Sequence, residues 1–276
     1  MAFFPTNQNL FSVVLVIFTT SFLLLATEPV TSQKTVSFNI TNFSTSKSSF
    51  SLQGSSAVLP SGVVTITNPG DPKNVVGRIL HYTPVPIWDS TTGNVASFIT
   101  SFTFKVVDYK NMKPASGLVF ILTPPDRANI PGNSVGGNLG VVDGNSPHNQ
   151  FVGVEFDTGS SGSWDPKHSH VGIDVNSLIS LKTVKWNRVS GALVDVNISY
   201  DNLSKTLNVV VYYPDGTFTT IAQVIDLKAV LPDTVRIGFS AATTTAARQL
   251  HHLHSWSFNS NLDTTAPNNI ASFSAI

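Results

Sequence analysis

The feature that most constrains this sequence is the alternation of short apolar runs with turn residues along most of its length. Runs rich in Val, Ile, Phe, Thr and Ser recur between clusters of Gly, Pro, Asn and Asp from position 35 to position 262. No segment sustains the 3.6-residue apolar period of an amphipathic helix. Because strands joined by turns produce this pattern, the sequence predicts an all-β fold.

Two segments predict strand pairing and sheet faces in detail. Thr206–Tyr213 and Thr217–Ala222 flank Pro214-Asp215-Gly216, which supplies the fixed φ and the glycine of a tight hairpin turn. Between positions 194 and 199 apolar and polar side chains alternate, so one face is expected to be buried and the other wet. No composition break marks an interdomain linker, and residues 33–262 are therefore expected to form one β-sandwich.

The two ends of the chain have a different character. No charged residue occurs before Glu28, and Leu10–Ala26 is apolar apart from scattered Ser and Thr. This stretch is short for a membrane span and is followed by small residues ending at Ser32, so residues 1–32 are predicted to be a signal peptide, with no stable membrane span. Residues 263–276 are predicted to be a flexible tail or a sorting propeptide.

Four Asn-X-Ser/Thr sequons agree with passage through the secretory pathway. They begin at Asn39, Asn42, Asn197 and Asn202, and Asn202 is the favoured acceptor because it lies in a predicted turn. The expected destination is extracellular, in the apoplast, or vacuolar. A chain without cysteine must then be held together by its core alone.

Charge and composition exclude several classes of function. The chain has 16 Lys and Arg against 16 Asp and Glu, so it lacks the basic excess of a nucleic-acid binder. Without cysteine there are no thiolate zinc sites, no disulfides and no cysteine nucleophile. No nucleic-acid partner is expected.

One segment concentrates the chemistry of the chain. Glu155, Asp157, Asp165 and His170 lie within sixteen residues of a chain that is otherwise poor in charge. On a strand, Glu155 and Asp157 project from the same face, where the two carboxylates repel each other unless a cation lies between them. Oxygen ligands suit calcium, and carboxylates with an imidazole suit manganese. The chemistry alone leaves a second interpretation open, that of a solvated strand end followed by a polar loop.

This segment resembles the metal-binding segment of the legume lectin family, which reads V-E-F-D-T, an aromatic residue, x-N, a spacer, D-P and H-[VI]-G-I-[DN]-V-N-S. The similarity extends over most of the chain and includes the stretches Thr83–Phe98, Gly136–Gly140, Thr183–Trp186, Gly238–Ala241 and Ser255–Phe258. The resemblance implies a concanavalin-like jelly-roll sandwich of antiparallel sheets. It also implies non-catalytic binding of glycans or glycoproteins and assembly into a homodimer or tetramer.

The resemblance also implies which residues hold the metals. Glu155, Asp157, Asp165 and His170 match the ligands of Mn²⁺ or another transition ion, and Ser180 matches a residue that holds a metal-bound water. For Ca²⁺, Asp157 and Asp165 are present, whereas Gly159 stands at the aromatic position that contributes a carbonyl. Ser161 replaces an asparagine, which implies a weakened calcium site because a hydroxyl is a poorer ligand than an amide oxygen.

The sugar-binding positions implied by the resemblance are altered further. The family's aspartate in P-A-D-G is Ser116 here, its stacking ring is Gly159, and its asparagine is Ser161. Gly137 is retained, and Ala246 and Ala247 offer backbone groups. The sequence therefore predicts an altered and weakened monosaccharide site. The alternative is a lectin-like defence, storage or regulatory interaction protein that has lost sugar binding.

Three functional interpretations of single motifs are not favoured. Gly132-Asn-Ser134-Val-Gly136 matches a nucleophile elbow but lacks the strand and helix that such an elbow needs. The strand of Glu155 lacks the third acid of the related glycosidases, so no enzyme activity is expected. The histidines at 251, 252 and 254 are expected in a loop, Thr243–His254, that leads into a strand at Ser255.

Overall fold

The computed structural model describes residues 32–110, 112–114, 116–146, 148–159 and 165–265. Within them, sixteen strands form two antiparallel sheets of eight. The first sheet has the order β14-β13-β12-β7-β16-β4-β3, with β1 also paired to β16, and the second has the order β11-β10-β9-β8-β15-β5-β2, with β6 paired to β15. The predicted all-β jelly-roll sandwich is confirmed as a single domain.

The strands of the first sheet are β1 (Gln33–Ile40), β3 (Ala57–Val58), β4 (Val64–Thr65), β7 (Ser97–Asp108), β12 (Leu193–Asp201), β13 (Thr206–Tyr212), β14 (Phe218–Val224) and β16 (Gln249–Asp263). Those of the second sheet are β2 (Phe50–Gly54), β5 (Val76–His81), β6 (Val85–Pro86), β8 (Gly117–Thr123), β9 (Val152–Asp157), β10 (His170–Val175), β11 (Lys182–Lys185) and β15 (Thr234–Ala242). Helical turns occur at Lys47–Ser49, Pro125–Arg127, Gly136–Asn138 and α1 (Leu227–Val230). Of the helices in the described ranges, none is both long and apolar enough to cross a bilayer.

The core between the sheets is rich in aromatic rings. Phe102 of the first sheet meets Phe239 of the second edge to face, with ring centroids 4.8 Å apart, and Phe104 lies at the same centroid distance from Phe156. Such aromatic pairs combine large apolar burial with favourable ring geometry. Because the core supplies this much packing, the sandwich needs no disulfide.

The outer face of the second sheet is also covered. A smaller apolar cluster lies there. In it the loop residues Leu139, Val141 and Val142 pack with Val119, Ile121 and Phe151. Strand β8 is therefore buried on both faces, which explains its continuous apolar sequence. Glu155 and Asp157, the polar residues of β9, are also buried.

Of three local predictions, the hairpin and the alternating strand are confirmed and the loop before Ser255 is wrong. The hairpin of β13 and β14 is confirmed, and Val194, Val196 and Ile198 are buried as expected. The predicted Thr243–His254 loop is wrong, because β16 begins at Gln249 and includes all three histidines. Alternation within Gln249–Leu253 buries every second side chain, so the polarity of histidine concealed a strand.

Candidate functional site

The site begins with the pairing of β9 and β10. Their antiparallel register sets His170 opposite Asp157 and Gly172 opposite Glu155. Since side chains two residues apart share a face, Glu155 and Asp157 project toward the covered outer side, while Val154 and Phe156 enter the core between the sheets. The sequence prediction that both acids lie on one face agrees with this register.

The acidic and imidazole side chains are in mutual contact. Nε2 of His170 lies 3.1 Å from Oε1 of Glu155 and 3.5 Å from Oδ1 of Asp165. Glu155, Asp157, Asp165 and His170 are all buried. The hydroxyl of Ser180 donates to Oε1 of Glu155 at 2.6 Å, so Ser180 also belongs to the cluster.

Burial and crowding perturb the charges of this cluster. Burial, followed by the charges of Glu155 and Asp165, raises the pKa of Asp157 well above its usual value. Burial alone would lower the pKa of His170, but the hydrogen bond and charge of Glu155, with the charge of Asp157, raise it to about 9. Carboxylates packed this closely favour either protonation or a cation.

Two neighbours of the cluster were missed by the sequence reasoning. Asp174 is fully buried on the same face, and its Oδ1 lies 2.7 Å from the hydroxyl oxygen of Ser180. Gly172 lies between His170 and Asp174, and a Cβ there would overlap the Ser180 hydroxyl and lie 2.9 Å from Cγ of Glu155. The two-residue period His170, Gly172, Asp174 was a usable signal for both residues.

The donor set suits a divalent cation, but its atoms are not arranged as ligands. Across the described ranges, no three His, Cys, Asp or Glu side chains are grouped so that they could hold a metal ion. The imidazole of His170 is hydrogen-bonded to the carboxylate of Glu155 instead. The residue types still match those that manganese accepts, and Oδ2 of Asp174 is buried with no hydrogen-bond partner among the described residues. The residues therefore fit a cation chemically, provided that the contacts of His170 rearrange.

The segments of three predicted sugar-binding positions meet at one end of the second sheet. Ser116, just before β8, donates its backbone N–H to the carbonyl of Ala242 at 3.1 Å and accepts that of Thr158 at 2.9 Å. Gly136, next to the predicted Gly137, donates to the carbonyl of Thr243 at 3.1 Å. The segments of Ser116, Gly137 and Gly159 are thus brought together, whereas Ser161 lies outside the described residues.

The segment that carries Ala246 and Ala247 closes this end of the sheet. Oγ1 of Thr244 accepts the N–H of Ala247 at 2.9 Å, which holds the segment in a tight turn. Arg248 fixes the turn from outside, because its N–H donates to the carbonyl of Lys113 at 3.0 Å and its Nη1 lies 2.9 Å from Oδ1 of Asp71. Ala246 is exposed, so its backbone faces solvent at the rim.

Residues 132–136, which match the nucleophile-elbow motif, begin with a turn. The hydroxyl of Ser134 donates to the carbonyl of Pro131 at 2.7 Å and is not bonded to a base. Asn133 has a φ of 48° and the three-residue turn Gly136–Asn138 follows, so the segment has neither the strand nor the helix of an elbow.

Comparison with known proteins agrees with these features. A family model described as the legume lectin domain matches residues 35–273. The galactose-binding lectin of Arachis hypogaea is 50% identical over 258 residues, covering 92% of this chain and 93% of that protein. A lectin-related protein of Cladrastis kentukea is 43% identical over 266 residues, covering 94% and 90%. The solved structure of peanut lectin with a nine-residue peptide superposes with a TM-score of 0.80 at 51% identity, covering 84% of this chain and all of that one.

Proposed function

Because the chain belongs to the legume lectin family of carbohydrate-binding proteins, we propose that it binds glycans without catalysis through a weakened monosaccharide site. The observation that carries the proposal is that Ser116 is neutral and buried. Its neutral hydroxyl stands where the family motif has an aspartate, and the residue is only 3% exposed. The site keeps its backbone frame but lacks the anion that would accept hydrogen bonds from sugar hydroxyls.

The expected loss of affinity is large relative to the binding energy of one sugar. A hydrogen bond to a charged group contributes about 1.5–3 kcal/mol. An aromatic platform, absent at Gly159, contributes roughly 0.5–1.5 kcal/mol by analogy with aromatic pairs. Millimolar binding corresponds to only about −4 kcal/mol. Removing both contacts therefore leaves monosaccharide binding at or below detection, and multivalent glycans become the more suitable ligands.

We also propose that the site takes up two cations. Glu155, Asp157, Asp165 and His170 would hold Mn²⁺ or another transition ion. Asp157 and Asp165, with the carbonyl of Gly159 and the side chain of Ser161, would hold Ca²⁺ more weakly. Burial raises the pKa of Asp157, and the charges of Glu155 and Asp165 raise it further; when bound, the cations would supply positive charge that favours the ionised carboxylate. The chain itself contributes the buried frame, in which Ser180 orients Glu155.

A glycan array probed with and without chelator tests this function. Galactose and galactosides come first, because the Arachis relative is a galactose-binding lectin. We expect weak signals on densely printed glycans, and we expect EDTA to abolish them. Strong binding to a single monosaccharide that persists in EDTA would contradict both the weakened site and the cation dependence.

The alternative function is that of a lectin-like defence, storage or regulatory protein without sugar binding. It is supported by the same neutral Ser116 and by the similarity to the lectin-related protein of Cladrastis. The array separates the two proposals, because this alternative predicts no signal even at the highest glycan density with both cations present.

Secretion and glycosylation form a further part of the proposal. Strand β1 begins at Gln33, directly after the predicted end of the signal peptide, which supports cleavage at Ser32. Asn39 is exposed on β1 and is suited to carry a glycan. Nδ2 of Asn202 donates to the carbonyl of Val95 at 2.9 Å, so this sequon is less suited than its turn position suggested. Mass spectrometry of protein secreted by plant cells, before and after glycosidase treatment, tests the cleavage point and the acceptors.

The oligomeric state is likewise proposed from the family resemblance, as a homodimer or tetramer. Light scattering of the purified glycoprotein tests it, and a mass equal to one chain plus its glycans would contradict it.

A further inference from the structure

The side chain of Gln249 is buried where the first sheet meets the candidate site. Gln249 begins β16 and lies opposite Asp108, the last residue of β7. Its Nε2 donates to Oδ1 of Asp108 at 2.7 Å, and its Oε1 accepts the hydroxyl proton of Thr158. An ionised carboxylate can only accept, so this orientation of the amide is fixed: the reversed amide would set its oxygen against Asp108.

Asp108 is itself anchored by an ion pair. Nη2 of Arg188 contacts both carboxylate oxygens of Asp108, at 2.9 and 3.0 Å. The backbone N–H of Asp108 donates to the hydroxyl of Ser190 at 2.9 Å, which ties the end of β7 to the same segment. Charge-assisted bonds are stronger than neutral ones, so Asp108 gives Gln249 a firm support on the first sheet.

At its other end, this hydrogen-bond network reaches the proposed binding site through Thr158. Thr158 is buried between Asp157 and Gly159, and its N–H donates to the carbonyl of Ser116 at 2.9 Å. The N–H of Gly159 donates to Oδ1 of Asp157 at 2.6 Å. The bond from Thr158 to Gln249 therefore holds the one residue that joins the proposed cation ligand Asp157 to the proposed sugar-site positions Ser116 and Gly159.

We propose that Gln249 is a positioning residue of the binding site. Through the hydroxyl of Thr158 it fixes the backbone of residues 157–159 against the first sheet before any ligand binds. Preorganisation of this kind raises affinity, because the cost of ordering the backbone is met during folding and not during binding. The inference rests on the proposed function, since the role concerns cation and glycan binding at Asp157 and Gly159.

The test compares four variants of the full-length secreted protein. Gln249→Ala removes both bonds of the amide, and Thr158→Val removes the hydroxyl while preserving side-chain shape. Thr158→Ser keeps the hydroxyl and serves as the conservative rescue. Gln150→Ala is the control, because the Gln150 amide also makes a hydrogen bond, from Nε2 to the carbonyl of Val230 at 2.8 Å, but this half-buried residue precedes the opposite end of β9.

Two readouts are measured for each variant. Amide hydrogen exchange at residues 158 and 159 in chelator reports the backbone without metal, and competition against a fluorescent chelator reports Mn²⁺ affinity. For Gln249→Ala and Thr158→Val we expect exchange about tenfold faster and Mn²⁺ binding about tenfold weaker, the effect of losing one buried hydrogen bond. Thr158→Ser and Gln150→Ala should match the wild type in both.

Three results would decide against the proposal or separate it from the proposed function. Wild-type exchange and affinity in folded Thr158→Val overturn the positioning role. A lower melting temperature of Gln249→Ala, with both readouts unchanged, shows a purely structural role and also overturns it. If the wild type itself binds no Mn²⁺, the proposed cation site fails, while the exchange measurement still accepts or rejects the role of Gln249.

Discussion

At position 116 the chain has a buried, neutral serine whose backbone is bonded to both Ala242 and Thr158. Hydrogen bonds thus hold the backbone at this position of the proposed sugar site, while the Ser116 side chain supplies no charge. Side chains at the altered positions supply neither charge nor a ring, since Gly159 has no side chain at all. In the function that we propose, these residues set the affinity for a sugar.

The altered residues are open to a direct repair experiment. We expect the triple variant Ser116→Asp, Gly159→Phe, Ser161→Asn to regain monosaccharide binding by about 2–4 kcal/mol, from one charged hydrogen bond and one ring contact. Titration with methyl galactoside, followed by ligand-observed NMR with both cations present, measures the gain. A control with Ser116→Asn in place of Ser116→Asp should recover less, because it restores size without charge. A folded triple variant that stays inert would contradict the proposal that these three positions limit sugar binding.

Gly172 provides a second test at the scale of one residue. Gly172→Ala places a methyl group against Glu155 and Ser180, and overpacking of this kind costs about 1–3 kcal/mol. We expect lower stability in urea and weaker Mn²⁺ binding together, because Glu155 must move. Gly70→Ala is the control, since the nearest atom to its added methyl group is Oδ1 of Asn68 at 3.4 Å. Equal stability and affinity in the two variants would contradict the close packing over Gly172.

Among the elements, β9 and β16 show what the sequence could and could not predict. The alternation in β9 was readable because Glu155 and Asp157 interrupt an apolar strand at two-residue spacing. In β16 the same period was hidden, because Gln249 and His251 occupy inward positions that are normally apolar. Both polar atoms of the Gln249 amide have a hydrogen-bond partner, and burial lowers the pKa of His251 so that its imidazole is neutral. Contacts between distant segments, such as Gln249 with Thr158, leave no trace in local spacing.

His251 gives β16 a predicted pH dependence. Burial, followed by the charges of His252 and Arg188, lowers the pKa of His251 to about 3. Between pH 6.5 and that value the unfolded chain binds a proton at this residue and the folded chain does not. Stability conferred by the neutral imidazole is therefore complete above pH 6.5 and declines by up to about 1.4 kcal/mol per pH unit as the pH falls.

Urea unfolding of wild type and His251→Leu between pH 7.5 and pH 4.5 measures this dependence. The wild type should lose stability relative to the variant as the pH falls, while a variant of the exposed His148, His148→Leu, should follow the wild type. Parallel curves for wild type and His251→Leu would show that the buried imidazole is not the group that titrates.

At the scale of the whole molecule, the fold was predictable from the pattern of apolar and turn residues. The hydrogen bonds within the candidate site were not. Apolar alternation, turn residues and the lack of a composition break were sufficient for a single β-sandwich, and the family resemblance implied its antiparallel jelly-roll form. The grouping of Glu155, Asp157, Asp165 and His170 was predictable because they lie within one short segment, and their role as metal ligands is a proposal from the family resemblance. The internal pairing of His170 with Glu155 was not predictable, because it depends on burial of both groups in the folded protein.

The central claim is that this buried cluster of acids and imidazole is a cation site. Elemental analysis of the protein, purified without added metal and then titrated with chelator, tests it most directly. We predict a transition ion and a calcium ion in each chain, with calcium leaving first because Ser161 replaces an asparagine. Protein that contains neither metal, or that releases both in equal proportion as chelator is added, would contradict the account.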